Sequence, residues 1–138
     1  MIEGRNFNKN IRDNFNRQCL THLFWELFDS RDSEGSAFKY MEREPVLILD
    51  DIIKAHKHWK PTIELGYTSK TYADLLGLPT QSPYRVGKGV RLKCLNSKKR
   101  IFIVRELILR GVERIAINEK YIEFDTDNYL YPPQLYLR

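Results

Sequence analysis

The apolar residues of this chain change their spacing midway along it, and that change limits the folds open to the chain. Before residue 60 they recur every three or four positions, whereas after residue 90 they alternate with polar residues or form short runs. The first pattern is typical of amphipathic helices, and the second of strands with one buried face. At 138 residues and 42% hydrophobic, the chain is long enough for one domain with an ordinary core. We therefore predict a single α+β domain over residues 1–138.

Residues 10–60 are predicted to form a helical core. Its first helix covers residues 10–29, with Asn10 as a plausible N-cap. The side chains at helical spacing on its broad face are Ile11, Phe15, Cys19, Leu20, Leu23, Phe24, Leu27 and Phe28. This aromatic stripe packs into the core or into a dimer seam. Residues 2–5 spell Ile-Glu-Gly-Arg, a familiar engineered protease site, and are left out of the fold prediction.

Residues 44–59 are predicted to form the second helix, after a polar loop over residues 29–36. Pro45 occupies the first helical position, where a missing N–H does no harm, and Pro61 ends the element. The apolar run 46–49 also suits a short buried strand, and periodicity does not decide between the two interpretations.

A helix–turn–helix candidate opens the segment 68–124, the part of the chain predicted to be winged-helix-like. Ser69 caps a short helix, Ala73 allows a close helix crossing, and Gly77 ends the helix, a spacing that resembles the general helix–turn–helix pattern. Ser82 then caps a second helix that begins at Pro83.

In this candidate, Tyr84 and Arg85 are predicted to face outward and Val86 inward. Gly87 and Gly89 weaken the second helix by roughly 1 kcal/mol each relative to Ala. The alternative interpretation is an ordinary helical corner with a glycine cap, and the sequence pattern does not decide between the two.

The basic residues are concentrated just after this candidate. Ten Lys and Arg residues against two acidic ones lie between Arg85 and Arg114, a local net charge of +8 that we call the basic segment. The whole chain carries +5, so the remainder sums to −3. A regional excess of this kind is typical of a surface that meets a polyanion, and nucleic acid is the first candidate.

Within the basic segment, residues 90–104 have the pattern of a β-hairpin. Strand alternation predicts Arg91 and Lys93 on one side and apolar residues on the other. The predicted tip, a wing that reaches phosphates, consists of Lys98, Lys99 and Arg100. A competing interpretation makes residues 97–110 a helix that ends at Gly111.

Residues 112–124 are predicted to form a further pair of strands that turns at residues 118–120. The remainder, residues 125–138, is a tail rich in Tyr and Pro, predicted to be an extended arm.

Groups that could catalyse a reaction or bind a metal are few and scattered. His56 and His58 lie near Asp50 and Asp51, a pattern that more often describes a polar helix flank, and His22 is expected in the core. The two cysteines, Cys19 and Cys94, have no metal-ligand spacing, and no Gly-rich phosphate loop or nucleophile elbow occurs. We therefore predict neither a metal nor a cofactor. Without a secretion signal, the expected location is the cytoplasm.

These patterns predict a non-catalytic protein that binds double-stranded DNA as a transcription regulator or accessory factor, with a homodimer as one option for its assembly. The residues predicted to contact DNA are Tyr84, Arg85, Lys88, Arg91, Lys93, Lys98, Lys99 and Arg100. One alternative is a small nuclease that uses His56, His58 or His22 with the same basic face. The other is a protein-interaction or assembly module.

Overall fold

The computed structural model describes residues 20–127 and the backbone of residues 134–137. The helices of these residues are Ser36–Tyr40 (α1), Arg43–Ala55 (α2), Lys70–Leu76 (α3) and Ser97–Leu109 (α4). The strands are Thr62–Leu65 (β1), Gly89–Lys93 (β2), Arg114–Ile117 (β3), Tyr121–Asp125 (β4) and Gln134–Leu137 (β5). Two short 3-10 helices, Trp25–Phe28 and Pro83–Val86, complete the secondary structure of this part of the chain. The mixture of helices with antiparallel strands confirms the predicted α+β class.

The strands form one sheet in the order β1-β2-β4-β3-β5. Neighbours pair antiparallel except β5, which runs parallel to β3 at one edge. The hairpin predicted over residues 112–124 is confirmed, and the Asn118 side-chain oxygen holds its turn by accepting hydrogen bonds from the backbone N–H groups of Lys120 and Tyr121. The strand β1 was not predicted, because four residues after a proline are too short a pattern to recognise.

Alternation along the strands gives the sheet an apolar face and a charged face. Val90 and Leu92 of β2 are buried, opposite Phe124 and Ile122 of β4. The helices α2 and α4 add Val46, Leu49, Ile52, Ile53, Ile103 and Leu107 to the same core. Arg91 lies between Val90 and Leu92 in the sequence, and Glu123 lies between Ile122 and Phe124. Arg91 and Glu123 are opposite each other in the β2–β4 pair, on the other face of the sheet.

The predicted second helix is present as α2, but it is shorter than the predicted range. Pro45 lies in its first turn, and the alternative of a strand over residues 46–49 is wrong. The helix ends at Ala55, where the His56 N–H donates to the carbonyls of Ile52 and Ile53. The chain leaves the helix before residue 59, the predicted end, and the segment that follows leads to β1, which begins at Thr62 and pairs with β2. His56 and the residues after it therefore lie beyond the helix.

The predicted first helix is wrong where the structure describes it. Residues 10–19 lie outside the described residues, and over 20–29 only Trp25–Phe28 is helical, as a single 3-10 turn. The buried Asp50 carboxylate accepts hydrogen bonds from the backbone N–H groups of Thr21 and His22, at 2.8 to 3.2 Å. In a continuous helix these N–H groups would donate to carbonyls four residues earlier instead.

The predicted basic hairpin is wrong in its second strand, and the competing helix is confirmed. The Asn96 side chain caps α4 by accepting a hydrogen bond from the Lys99 N–H, and Gly111 follows the helix with a φ of +83°. Ile103 and Leu107, four residues apart, are buried as on one face of a helix. The run of four apolar residues at 101–104 suits either structure, so the choice depended on the cap and on the core.

Candidate nucleic-acid interface

The first helix of the helix–turn–helix candidate forms as predicted. The Ser69 hydroxyl accepts a hydrogen bond from the Tyr72 N–H at the start of α3, and Ala73 is fully buried. Gly77 ends the helix with a φ of +73°, a conformation that favours glycine.

The second helix of the candidate is only one 3-10 turn, Pro83–Val86, packed as a corner. The Ser82 hydroxyl accepts from the Tyr84 N–H, and Gly87 ends the turn with a φ of +71°. A Cβ on Gly87 would lie 2.5 Å from the Met41 Cα, so only glycine lets the chain pass so close to α1. A four-residue turn fixed in this way does not present a helix to a DNA groove.

The predicted orientation of two residues in this turn is reversed. Tyr84 is buried, and its hydroxyl donates a short hydrogen bond to the Glu123 carboxylate, whereas Val86 is exposed. Burial and the charge of Glu123 raise the pKa of Tyr84 well above its ordinary value, so the phenol stays a neutral donor. Tyr84 is therefore a buried residue of the charged face and does not project outward as predicted.

Arg91 is also committed within the protein. Its guanidinium donates to Glu123 Oε2 at 3.0 Å, approaches Glu64 at 3.7 Å and lies 4.3 Å from the centre of the Tyr121 ring. Beside it on the charged face, Arg114 donates to both oxygens of the Asp125 carboxylate, at 3.1 and 3.2 Å. These ion pairs link β2 and β3 to β4 on the charged face.

Arg85 and Lys88, which were also predicted to contact DNA, lie beside acidic residues of the protein itself. Arg85 donates to Asp74 at 2.8 Å and to the carbonyls of Leu78 and Pro79, and its hydrogen bond lowers the pKa of the Asp74 carboxyl. The Lys88 ammonium lies 3.8 Å from an oxygen of the buried Asp127. Neither side chain projects as the prediction required.

Arg100 braces the start of α4 and is not at the tip of a wing. Its guanidinium donates to the backbone carbonyls of Cys94 at 3.2 Å and of Glu119 at 2.8 Å. These two hydrogen bonds tie α4 to the end of β2 and to the β3–β4 turn.

The remaining predicted residues, Lys93, Lys98 and Lys99, are exposed. None of the three makes an ion pair with any residue that the structure describes. They are the part of the predicted site that stays available to an external anion.

Lys93 and Lys99 line a groove of about 330 Å³ between the segment before β1, the end of β2 and the first turns of α4. We call it the lysine groove. It is lined by Trp59, Lys60, Pro61, Thr62, Leu92, Lys93, Cys94, Leu95, Asn96, Lys99 and Ile103. Lys60 supplies a third ammonium group, and no Asp or Glu is among these lining residues. Three like charges without a counterion create a local positive potential.

The fold brings these lysines together from three separate segments of the chain. Lys93 faces Thr62 across the β1–β2 pair, which brings Lys60 to the end of β2. The Asn96 cap places Lys99 in the first turn of α4, beside the same strand end. Trp59 and Lys60 were missed in the sequence, because the register that carries them to Lys93 has no local signal.

The histidines and acids considered for catalysis are spread over separate contacts. His56 Nε2 lies 3.0 Å from Glu106 Oε1, which also accepts from Arg110 at 2.8 Å, and that hydrogen bond is the main reason why the pKa of Glu106 is lowered. Arg110 in turn donates to Asp51 at 2.8 Å. This network joins α2 to α4.

The other groups considered for catalysis lie apart from this network. Asp50 holds the backbone of residues 21 and 22, and His58 is exposed. His22 is exposed as well, so its predicted place in the core is wrong. Across residues 20–127, no three His, Cys, Asp or Glu side chains are grouped so that they could hold a metal ion.

Comparisons with protein families, with curated proteins and with solved structures found no match to this chain. In the described part of the chain, no helix is both long and apolar enough to cross a membrane.

Proposed function

We propose that this protein binds nucleic acid through the lysine groove. The observation that carries the proposal is the convergence of Lys60, Lys93 and Lys99 on a groove without a lining carboxylate, whereas Arg85, Arg91 and Arg114 of the basic segment are paired with acids of the protein itself. Ammonium groups in this arrangement bind phosphates and release the counterions condensed on a nucleic acid.

The cost of binding also favours this surface over the charged face. If a phosphate bound Arg91 or Arg114, it would break the ion pair of that arginine with the buried Glu123 or Asp125. The loss of an ion-pair partner by a buried charge costs several kcal/mol. Lys93 and Lys99 break no ion pair with the described residues when they meet a phosphate.

The finer expectations from the sequence remain predictions. They are double-stranded DNA as the ligand, a role in transcription regulation, a homodimer and a cytoplasmic location. The winged-helix-like arrangement is a prediction on which the lysine groove does not depend. A nuclease and a protein-interaction module remain the alternative predictions.

The proposal is tested by fluorescence polarisation with a labelled oligonucleotide over a range of salt concentrations. The test variant replaces Lys60, Lys93 and Lys99 by Ala. It should bind more weakly, and the slope of log K against log salt should become shallower by about two to three, because each phosphate contact contributes about 0.7 to 0.9.

A matched control replaces Arg31, Lys39 and Lys70 by Ala, which removes the same charge at exposed positions outside the groove. The control should keep most of the affinity. Equal losses in both variants would show a diffuse charge effect and contradict a groove-specific site. An absence of salt-dependent binding by the unmodified protein, between low and physiological salt, would contradict nucleic-acid binding altogether.

A further inference from the structure

The lysine groove has an apolar interior as well as a basic rim. Trp59, Leu92, Leu95 and Ile103 line it together with the lysines. A surface that held only the phosphates of a duplex would need no such concavity, because the bases of a duplex are stacked inside it. The apolar lining therefore needs its own explanation.

Trp59 is held in position by its neighbours. Its ring packs edge-on against Phe102 of α4, with ring centres 5.7 Å apart, and His56 packs against the same Phe102 at 4.8 Å. The backbone N–H of Trp59 also donates to the His56 carbonyl at 2.9 Å, which fixes the chain at this position. A ring supported in this way loses little conformational freedom when a flat ligand packs on it.

The groove is open to solvent and has room for a small flat ligand. About 330 Å³ is near the lower end of the range for small-molecule sites, which suits a unit of about one nucleotide. Proteins that bind single strands combine a basic groove with an aromatic ring on which an unpaired base stacks. Both components meet here, with the ammonium groups at the rim and the indole in the lining.

We infer that the lysine groove takes an unpaired base against Trp59, with the adjacent phosphates on Lys60, Lys93 and Lys99, and that the protein prefers single-stranded nucleic acid to a duplex. The inference rests on the proposed function and names its ligand class. It differs from the double-stranded DNA predicted from the sequence.

The test compares three labelled probes of one mixed sequence: single-stranded DNA, single-stranded RNA and blunt-ended duplex DNA. The unmodified protein should bind at least one single strand roughly tenfold or more tightly than the duplex. Trp59→Leu should weaken single-strand binding by roughly ten- to a hundredfold with little change in salt slope, because stacking contributes no counterion release. Trp59→Phe, which keeps a ring, should retain most of the affinity.

Tryptophan fluorescence supplies a second measurement. The chain has two tryptophans, and Trp25 is buried in the core, so a base stacked on Trp59 should quench the emission of the unmodified protein but not that of Trp59→Leu. Thermal unfolding of each variant shows whether a loss of affinity reflects a loss of fold.

The outcomes separate this inference from the proposed function. Equal affinity for single strand and duplex, unaffected by Trp59→Leu but weakened by the triple lysine variant, would overturn the inference and leave the proposed function intact. No salt-dependent binding to any of the three probes would overturn both.

Discussion

The charged face of the sheet and the lysine groove both contain basic residues from the basic segment. Those of the charged face are paired with acids, whereas those of the groove are paired with no acid that the structure describes. On the charged face, Arg91 and Arg114 are paired with Glu123 and Asp125. In the groove, Lys93 and Lys99 lie beside Lys60 with no lining carboxylate. A local net charge therefore does not show which charges can reach a ligand.

The difference follows the chemistry of the two basic side chains. Guanidinium is planar, weakly hydrated and able to bind a carboxylate through two N–H groups, so arginine suits partly buried ion pairs. Ammonium is strongly hydrated and stays at the surface on a flexible stem. Arg85, Arg91, Arg110 and Arg114 all pair with acids here, whereas Lys93, Lys98 and Lys99 are exposed.

The largest expected effect comes from breaking the charged face. Glu123→Ala removes the main ion-pair partner of the partly buried Arg91 and the acceptor of the Tyr84 hydroxyl. We expect the free energy of unfolding to fall by about 3 to 5 kcal/mol, measured by chemical denaturation. Glu113→Ala, at an exposed position, should change it by less than about 0.5 kcal/mol. Similar values for the two variants would mean that the network does not stabilise the sheet.

A smaller effect tests the same face through pH. Because burial and the Glu123 charge raise the pKa of Tyr84 above its ordinary value of 10.0, the unfolded chain loses this proton at lower pH than the folded one. The stability from Tyr84 is therefore fully present below pH 10 and falls as the pH rises above 10 towards the folded pKa.

Tyr84→Phe should lower the free energy of unfolding at neutral pH by about 1 to 3 kcal/mol, since it removes one hydrogen bond from the buried Glu123 Oε2, which keeps those from Arg91. It should also make the alkaline decline shallower. Burial raises the pKa of Tyr67 too, so some decline should remain. Thermal unfolding at a series of alkaline pH values measures both effects. Identical pH profiles for the variant and the unmodified protein would contradict the role given to Tyr84.

The smallest effect concerns how the lysine groove is built. Asn96→Ala removes the cap of α4 and should lower the free energy of unfolding by about 1 kcal/mol. Because Lys99 lies in the capped turn, binding to the oligonucleotide should weaken slightly as that turn frays. Ser97→Ala is the neighbouring control, since its hydroxyl does not cap the helix. If Asn96→Ala changes neither stability nor affinity, the cap does not position the groove.

Local signals in the sequence predicted several elements correctly. Ser69 and Gly77 mark the two ends of α3 through hydrogen bonding and a positive φ, which depend on only a few residues. The alternation of Val90, Arg91 and Leu92 predicted which side chains of β2 would be buried. The apolar run at 101–104 did not reveal its structure, because the same four residues suit a strand or a helix.

The sequence by itself determined the α+β class, the regional excess of positive charge and the helix caps, because periodicity, composition and capping all act over short distances along the chain. The tertiary structure decided which charges remain available. Arg91 pairs with Glu123 across 32 positions of sequence, and the β1–β2 register brings Lys60 to the same groove as Lys93. Such pairings depend on how the sheet and α4 pack, since contacts between distant residues form only when the core brings them together.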